Sequence, residues 1–248
     1  MIAAMDIGTL LLWSFLAALG AGVGAGLGTR PWIPGRVIGW ASASAAGLML
    51  GVSYVLLTAG QAMAPAATLL GAIAGLILMR VLDGVPLPAR GAVAEAGNAR
   101  VSAPPANDAG AILASALHSA AEGVAIGAAG AVGAPVARFL LITFALHNIS
   151  EGAVLGVRLR HAGSRTLTVM GVAVIARSSQ PLFAVSVMEL VGVASALLPW
   201  CIGAAFGAML YLIVAELLPQ SYREVGRTGI AVVVSLAAGM VALMGVGP

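Results

Sequence analysis

The sequence predicts an all-α membrane protein, a bundle of eight transmembrane helices, and three observations lead there. Of the 248 residues, 60% are hydrophobic and only 8% are charged, against roughly 25% charged in a soluble domain, so there is too little charge to cover a water-facing surface. Mean hydropathy is +1.05. The 33 glycines suit membrane helices that pack backbone to backbone through small residues, and with five Phe and three Tyr there is little aromatic bulk to do that instead.

A helix needs roughly 20 mostly apolar residues to cross the hydrocarbon layer. Eight segments meet this in one transmembrane domain spanning 1–248: about 7–28, 37–59, 63–82, 110–131, 135–158, 166–190, 194–219 and 228–247. The first segment follows neither a basic n-region nor a small-residue cleavage site, so it reads as a retained helix rather than a signal peptide. It carries Gly20, Gly24 and Gly28 at four-residue spacing, with Gly22 and Gly26 interleaved. With no strand before it, this is a packing face and not a phosphate loop. Residues 83–109, rich in Pro, Gly, Ala and charge, read as a mobile cytoplasmic linker. The fourth to seventh segments contain polar groups costly in lipid. In the sixth, Gln180-Pro181 predicts a kink whose freed backbone groups the amide helps to satisfy.

Arginine placement sets orientation. Loops after the odd-numbered segments hold Arg30, Arg36, Arg80, Arg90, Arg100, Arg158, Arg160, Arg165, Arg223 and Arg227, and the opposite side holds Arg138. The bias places both termini outside the cytoplasm. Because these arginines alternate with apolar blocks, the net charge of +3 marks topology and not a nucleic-acid surface. The single cysteine, Cys201, excludes an intrachain disulfide and any multi-cysteine metal centre, and reads as a core residue.

The chemistry lies in a repeat. The fourth segment reads ALHSAAEGVAIG and the fifth ALHNISEGAVLG, so Ala-Leu-His-x-x-x-Glu-Gly-x-x-x-Gly occurs twice, 29 residues apart. His118 and Glu122, like His147 and Glu151, are four residues apart and share one helix face. Antiparallel neighbours joined by a short turn bring both pairs together. A charge at the bilayer centre costs at least about 2.5–3.5 kcal/mol, and two adjacent carboxylates also repel, so protons or a cation must offset the cost. Imidazole nitrogen with carboxylate oxygen suits a borderline divalent ion such as Zn²⁺. A lone His/Glu pair on a helix is more often a packing pair; the same pair on adjacent helices in lipid points to metal or proton handling. The sequon Asn148-Ile149-Ser150 lies at mid-membrane depth and is no glycosylation acceptor.

Other polar residues have plainer readings. Met49 alone is a core filler, and Glu189 and Glu216 lie near helix ends where they reach water. Arg177 sits near the middle of the sixth segment, where snorkelling is difficult, and calls for an acidic partner; Glu189 or a lipid phosphate is the alternative to the motif glutamates.

With its paired motif in this topology, the sequence resembles the ZIP (Zrt/Irt-like) family of divalent-metal transporters, and its bacterial GufA-like branch. The resemblance implies eight helices, a variable linker after the third, and termini outside the cytoplasm. It also implies a possible homodimer and an elevator-like alternation within the lipid of a bacterial inner membrane. His118, Glu122, His147 and Glu151 match primary ligands, Met49 a position that can supply a thioether, and Glu216 an acidic position near the cytoplasmic exit. Family members often hold a second metal bridged by the two glutamates. The matching second-site positions here are Ser119, Asn148 and Gln180, with amides where acidic groups are usual. Proline before each motif glutamate is replaced by Ala121 and Ser150, a histidine before Glu216 by Ala215, and the linker has no histidine. With Arg177 three residues before Gln180 on one helical face, a guanidinium supplies the charge of the missing ion, and the site is mononuclear.

The function implied is zinc-preferring import into the cytoplasm, with Cd²⁺, Fe²⁺, Mn²⁺ and Co²⁺ as further candidate cargoes, and no enzymatic reaction. Two alternatives stand beside it. An intramembrane zinc-dependent hydrolase needs a water position and a base, and the chain has no H-E-x-x-H and no spare Asp or Ser set beside the pairs as an obvious base. A transport-inactive metal-binding relative is compatible with the altered second site.

Overall fold

The computed structural model describes residues 4–30, 35–84, 109–161 and 163–245. Among these, every regular element is helical. The elements are α1 (Ile7–Gly28), α2 (Gly35–Met63), α3 (Pro65–Gly84), α4 (Ala109–Val132), α5 (Ala134–His161), α6 (Thr166–Ala176), α7 (Ser179–Val193), α8 (Leu198–Leu212), α9 (Leu218–Val225) and α10 (Arg227–Gly245). The predicted linker, 83–109, lies outside the described residues apart from its ends.

Helix starts and stops follow local chemistry. Asp6 caps α1, its Oδ2 accepting from the Thr9 amide at 2.9 Å and the Thr9 hydroxyl at 3.0 Å. These bonds hold the exposed Asp6 carboxyl below its ordinary range. Pro65 opens α3 and Pro199 falls in the first turn of α8, positions where the missing amide proton has no helical partner in any case. Gly226, at φ 89°, turns the chain between α9 and α10 in a conformation that side chains disfavour.

Among the described residues, seven stretches are long and apolar enough to cross a membrane: α1, most of α2, α3, most of α5, α6 with α7, the stretch Ser195–Leu217, and most of α10. The protein is therefore a multi-pass helical membrane protein. The predicted fourth segment, α4, is not among the seven, and the side chains of its first turns lie outside the described residues. Large apolar side chains such as Leu69, Leu78, Leu167, Leu236 and Leu243 face outward.

Two predicted spans are single helices only in outline. The predicted 166–190 is broken at Arg177 and Ser178. Pro181 explains the position: it cannot donate to the carbonyl of Arg177 four residues back, and its ring would strike it. That carbonyl accepts instead from the Gln180 amide at 3.1 Å. The predicted 194–219 contains α8, a π-helical turn at Ile213–Leu217, and α9. Pro219 likewise leaves the carbonyl of Ala215 without its donor, and the chain passes through the wider turn before resuming.

Glycines set how closely helices approach. A Cβ on Gly24 or Gly28 would collide with the backbone of Ile149 or Ala153, which packs α1 directly on α5, while Gly22 and Gly26 meet Val174 and Met170 of α6. Both predicted stripes of the first segment are thus used, on different neighbours. A second clasp joins α3 to α8 through Gly75 against Ala204 and Gly207 against Ala72. The main apolar core runs between α2, α4, α5, α7 and α8 around Phe144, Leu140, Met49, Ile126 and Met209.

Candidate metal centre

Helices α4 and α5 are antiparallel neighbours joined at Gly133, and each presents its motif to the other. One ligand atom from each of His118, Glu122, His147 and Glu151 can be chosen so that all lie within 4.8 Å of one another. His118 Nε2 lies 3.4 Å from Glu122 Oε1 and 3.2 Å from Glu151 Oε1. His147 Nε2 lies 3.0 Å from Glu122 Oε1 and 3.6 Å from Glu151 Oε2. The imidazoles stack, with centroids 6.1 Å apart and planes 7° from parallel. Nitrogen and oxygen donors thus converge on one volume from two helices, an arrangement that fits a metal site.

Burial sharpens the point. Glu122 is fully buried, His147 1% exposed at its side chain and Glu151 17%. His118 Nε2, both His147 nitrogens and Glu122 Oε2 lack a hydrogen bond of good geometry within the chain. Buried polar atoms are seldom left so, and a cation accepted by all of them would account for the cluster.

The glycines of the motif position it. A Cβ at Gly123 or Gly127 would strike the carbonyl of Gln180 or Ala184, so these residues seat α4 on α7. A Cβ at Gly152 or Gly156 would strike Ala21 or Ala25, which seats α5 on α1.

Arg177 is drawn to the site and away from Glu189, which is exposed. Its Nη1 donates to Glu122 Oε1 at 3.0 Å and its Nη2 pairs with Glu151 Oε2. The predicted continuous face from Arg177 to Gln180 is replaced by the helix break, which places Arg177 at the end of α6. Ser179, at the start of α7, ties the break to α4 by donating to the Ala116 carbonyl at 2.6 Å. Interrupted helices in a membrane protein are tolerated where they line a protein-enclosed site, and this one does.

The remaining predicted residues divide. Asn148 Nδ2 donates to the Ala17 carbonyl at 2.9 Å and to Gln180 Oε1 at 3.0 Å. The Gln180 side chain therefore bonds Asn148 rather than the backbone freed by Pro181, contrary to expectation; the freed Arg177 carbonyl is served by the backbone N–H of Gln180. Ser119 is buried with its hydroxyl unpartnered. Glu216 stands in the π-helical turn rather than near a helix end, with its Oε2 3.8 Å from His118 Nδ1, and is half exposed. Met49 is fully buried in the main core on α2. Sequence reading passed over Phe144, which packs edge-on to His147 at 6.3 Å. Its place three residues before His147, on the same helix face, was the available signal.

Fold and site together define a helical membrane protein with an enclosed His/Glu cluster. No family model matches the chain. A protein of Arabidopsis thaliana named as a candidate zinc transporter is 33% identical over 117 residues, which cover 46% of this chain and 19% of that relative. The chain thus spans about a fifth of the length of the curated relative it matches. The membrane-spanning helices and the His/Glu cluster accord with that likeness.

Proposed function

We propose that the protein is a ZIP-type divalent-metal transporter of the bacterial GufA-like branch, with α4 as an eighth span, and that it is not an enzyme. In this reading it lies in a bacterial inner membrane with both termini outside the cytoplasm and carries metal inward, zinc by preference. The observation that carries the reading is the convergence of His118, Glu122, His147 and Glu151 within 4.8 Å inside a membrane-spanning bundle.

Glu122 and Glu151 supply charge to the cargo. His118 and His147 supply the nitrogen that favours zinc over Mg²⁺ and Ca²⁺, which prefer all-oxygen surroundings. Met49 is available as a thioether from α2, and Glu216, on the exposed side of His118, is the next carboxylate on the path to water. Release is aided by protonation, because imidazole and carboxylate bind metal only when deprotonated. The chain has no ATP-binding motif, so movement follows the metal gradient or is coupled to protons.

Uptake of radioactive zinc into proteoliposomes tests the assignment. Glu151→Ala is expected to abolish uptake while leaving a folded protein. Undiminished uptake by that variant would remove the site from the pathway. The ion pair of Arg177 with both glutamates favours one competing reading, a transport-inactive metal-binding relative; wild-type protein that binds zinc but shows no uptake would establish it instead.

A further inference from the structure

The inference deepens the metal-site reading above and rests on it. Both motif glutamates are held by one side chain. Arg177 Nη1 lies 3.0 Å from Glu122 Oε1, and Nη2 pairs with Glu151 Oε2. The guanidinium is planar, permanently charged and two-pronged, so it spans carboxylates from two helices in a way that an ammonium does not. Arg177 is buried, and the Pro181-induced break together with the Ser179 bond to α4 fixes its backbone beside the cluster. We propose that Arg177 is a tethered cation that bridges Glu122 and Glu151 when no metal is bound, competes with metal for them, and limits the site to one divalent ion.

Shared atoms give the first argument. Glu122 Oε1 lies within 3.4 Å of His118 Nε2 and 3.0 Å of both His147 Nε2 and Arg177 Nη1. An ion bound by that oxygen and the two imidazole nitrogens must draw the oxygen away from the guanidinium. Metal and Arg177 therefore bid for the same lone pairs.

Charge gives the second. With neutral imidazoles, the two motif carboxylates and one guanidinium leave the enclosed part of the empty cluster at −1, with Glu216 half exposed at its edge. One divalent ion brings it to +1, whereas two would bring it to +3 in a low-dielectric interior, where unbalanced charge is penalised severely. Without Arg177 the empty cluster would stand at −2. The arginine thus eases the metal-free state and makes a second ion prohibitive.

The ligand supply gives the third. Beside the two glutamates the groups that remain for a second ion are neutral: Ser119, Asn148 and Gln180. Gln180 Oε1 already accepts from Asn148 Nδ2, which leaves Asn148 Oδ1 and the Ser119 hydroxyl as neutral oxygens. The further carboxylate, Glu216, stands 3.8 Å from Nδ1 of His118, whereas both motif glutamates meet that ring at Nε2.

The test is zinc binding to purified full-length protein by equilibrium dialysis with elemental analysis, on the wild type, Arg177→Gln and Arg177→Lys. One equivalent is expected in the wild type. Arg177→Gln is expected to bind at least about tenfold more tightly once the competing charge is gone, and Arg177→Lys, which keeps the charge but not the two-pronged bridge, to fall between it and the wild type. Should Arg177→Gln fail to fold, zinc-edge X-ray absorption of the loaded wild type decides, with no zinc–zinc scattering expected. Two equivalents or a zinc–zinc vector in the wild type, unchanged or weaker binding in Arg177→Gln, or an equal gain in Arg177→Lys each overturns the proposal and leaves the transport reading standing. A wild type that binds no zinc overturns both.

Discussion

The two copies of the motif share Ala, Leu, His, Glu and both glycines, yet the bundle gives them different duties. The α4 copy holds the fully buried Glu122 and leaves Ser119, the residue after its histidine, without a partner. Its glycines face α7. The α5 copy holds Glu151, partly exposed, and puts Asn148 after its histidine, bonded both to α1 and to α7. Its glycines face α1. The same local pattern therefore yields one copy that carries buried charge and another that anchors the site to its neighbours and opens it to water. Duty is set by the surrounding helices, since the helical geometry within each copy is the same.

The contrast between glutamates gives the largest expected effect. Glu122→Gln leaves Arg177 with Glu151 alone and is expected to destabilise the metal-free protein by about 3 kcal/mol, the upper end for a hydrogen bond between charged groups. Glu151→Gln, where water reaches the group, is expected to cost about 1.5–3 kcal/mol. Unfolding in mixed micelles measures both, and equal losses would make the two copies interchangeable.

The glycines give the next effect. Gly152→Ala places a methyl group against the backbone of Ala21, at 2.8 Å from its Cα, where no side chain can yield. Overpacking of this kind costs about 1–3 kcal/mol and sometimes more. Gly192→Ala, with nothing within 4 Å of the added carbon, should be harmless or slightly stabilising. Thermal unfolding of the two variants separates a packing role for the glycine from a general preference.

The residue after each histidine gives the finest comparison. Asn148→Ala breaks two buried hydrogen bonds and strands the Gln180 side-chain oxygen, at about 1–3 kcal/mol. Ser119→Ala removes a hydroxyl that bonds nothing and should change stability by less than about 0.5 kcal/mol. A comparable loss at both positions would show that Ser119 has a role the contrast denies it.

Much of this was legible in the sequence, for reasons that mark where legibility stops. The first helix was bounded correctly at 7–28 because its apolar run ends at both sides in polar or turn-forming residues. The four candidate ligands were found because a four-residue spacing fixes a helix face whatever surrounds it. Arg177 was expected to need an acidic partner, since burial of an unpaired guanidinium is too costly; which carboxylate it meets depends on the approach of α6 to α4, which no local pattern encodes. Pro181 announced a kink, but the identity of the groups bonded by Gln180 followed from the position of Asn148 on another helix. The π-helical turn was hidden altogether. Five residues of ordinary helical character, Ile213 to Leu217, give no sign that Pro219 will widen the turn before it.

That turn has a consequence for the length of the chain. A π-helical turn accommodates one residue more than an α-helix would in the same rise, and each residue of α-helix advances the face by about 100°. A chain one residue shorter between Leu212 and Leu218 would run straight through, with all that follows rotated by that angle relative to α8. The half-exposed carboxylate of Glu216 would then leave the side of His118, although every ligand in the cluster stayed in place. The surplus residue is an indexing device: it sets which way the last carboxylate points while leaving the composition of the site untouched.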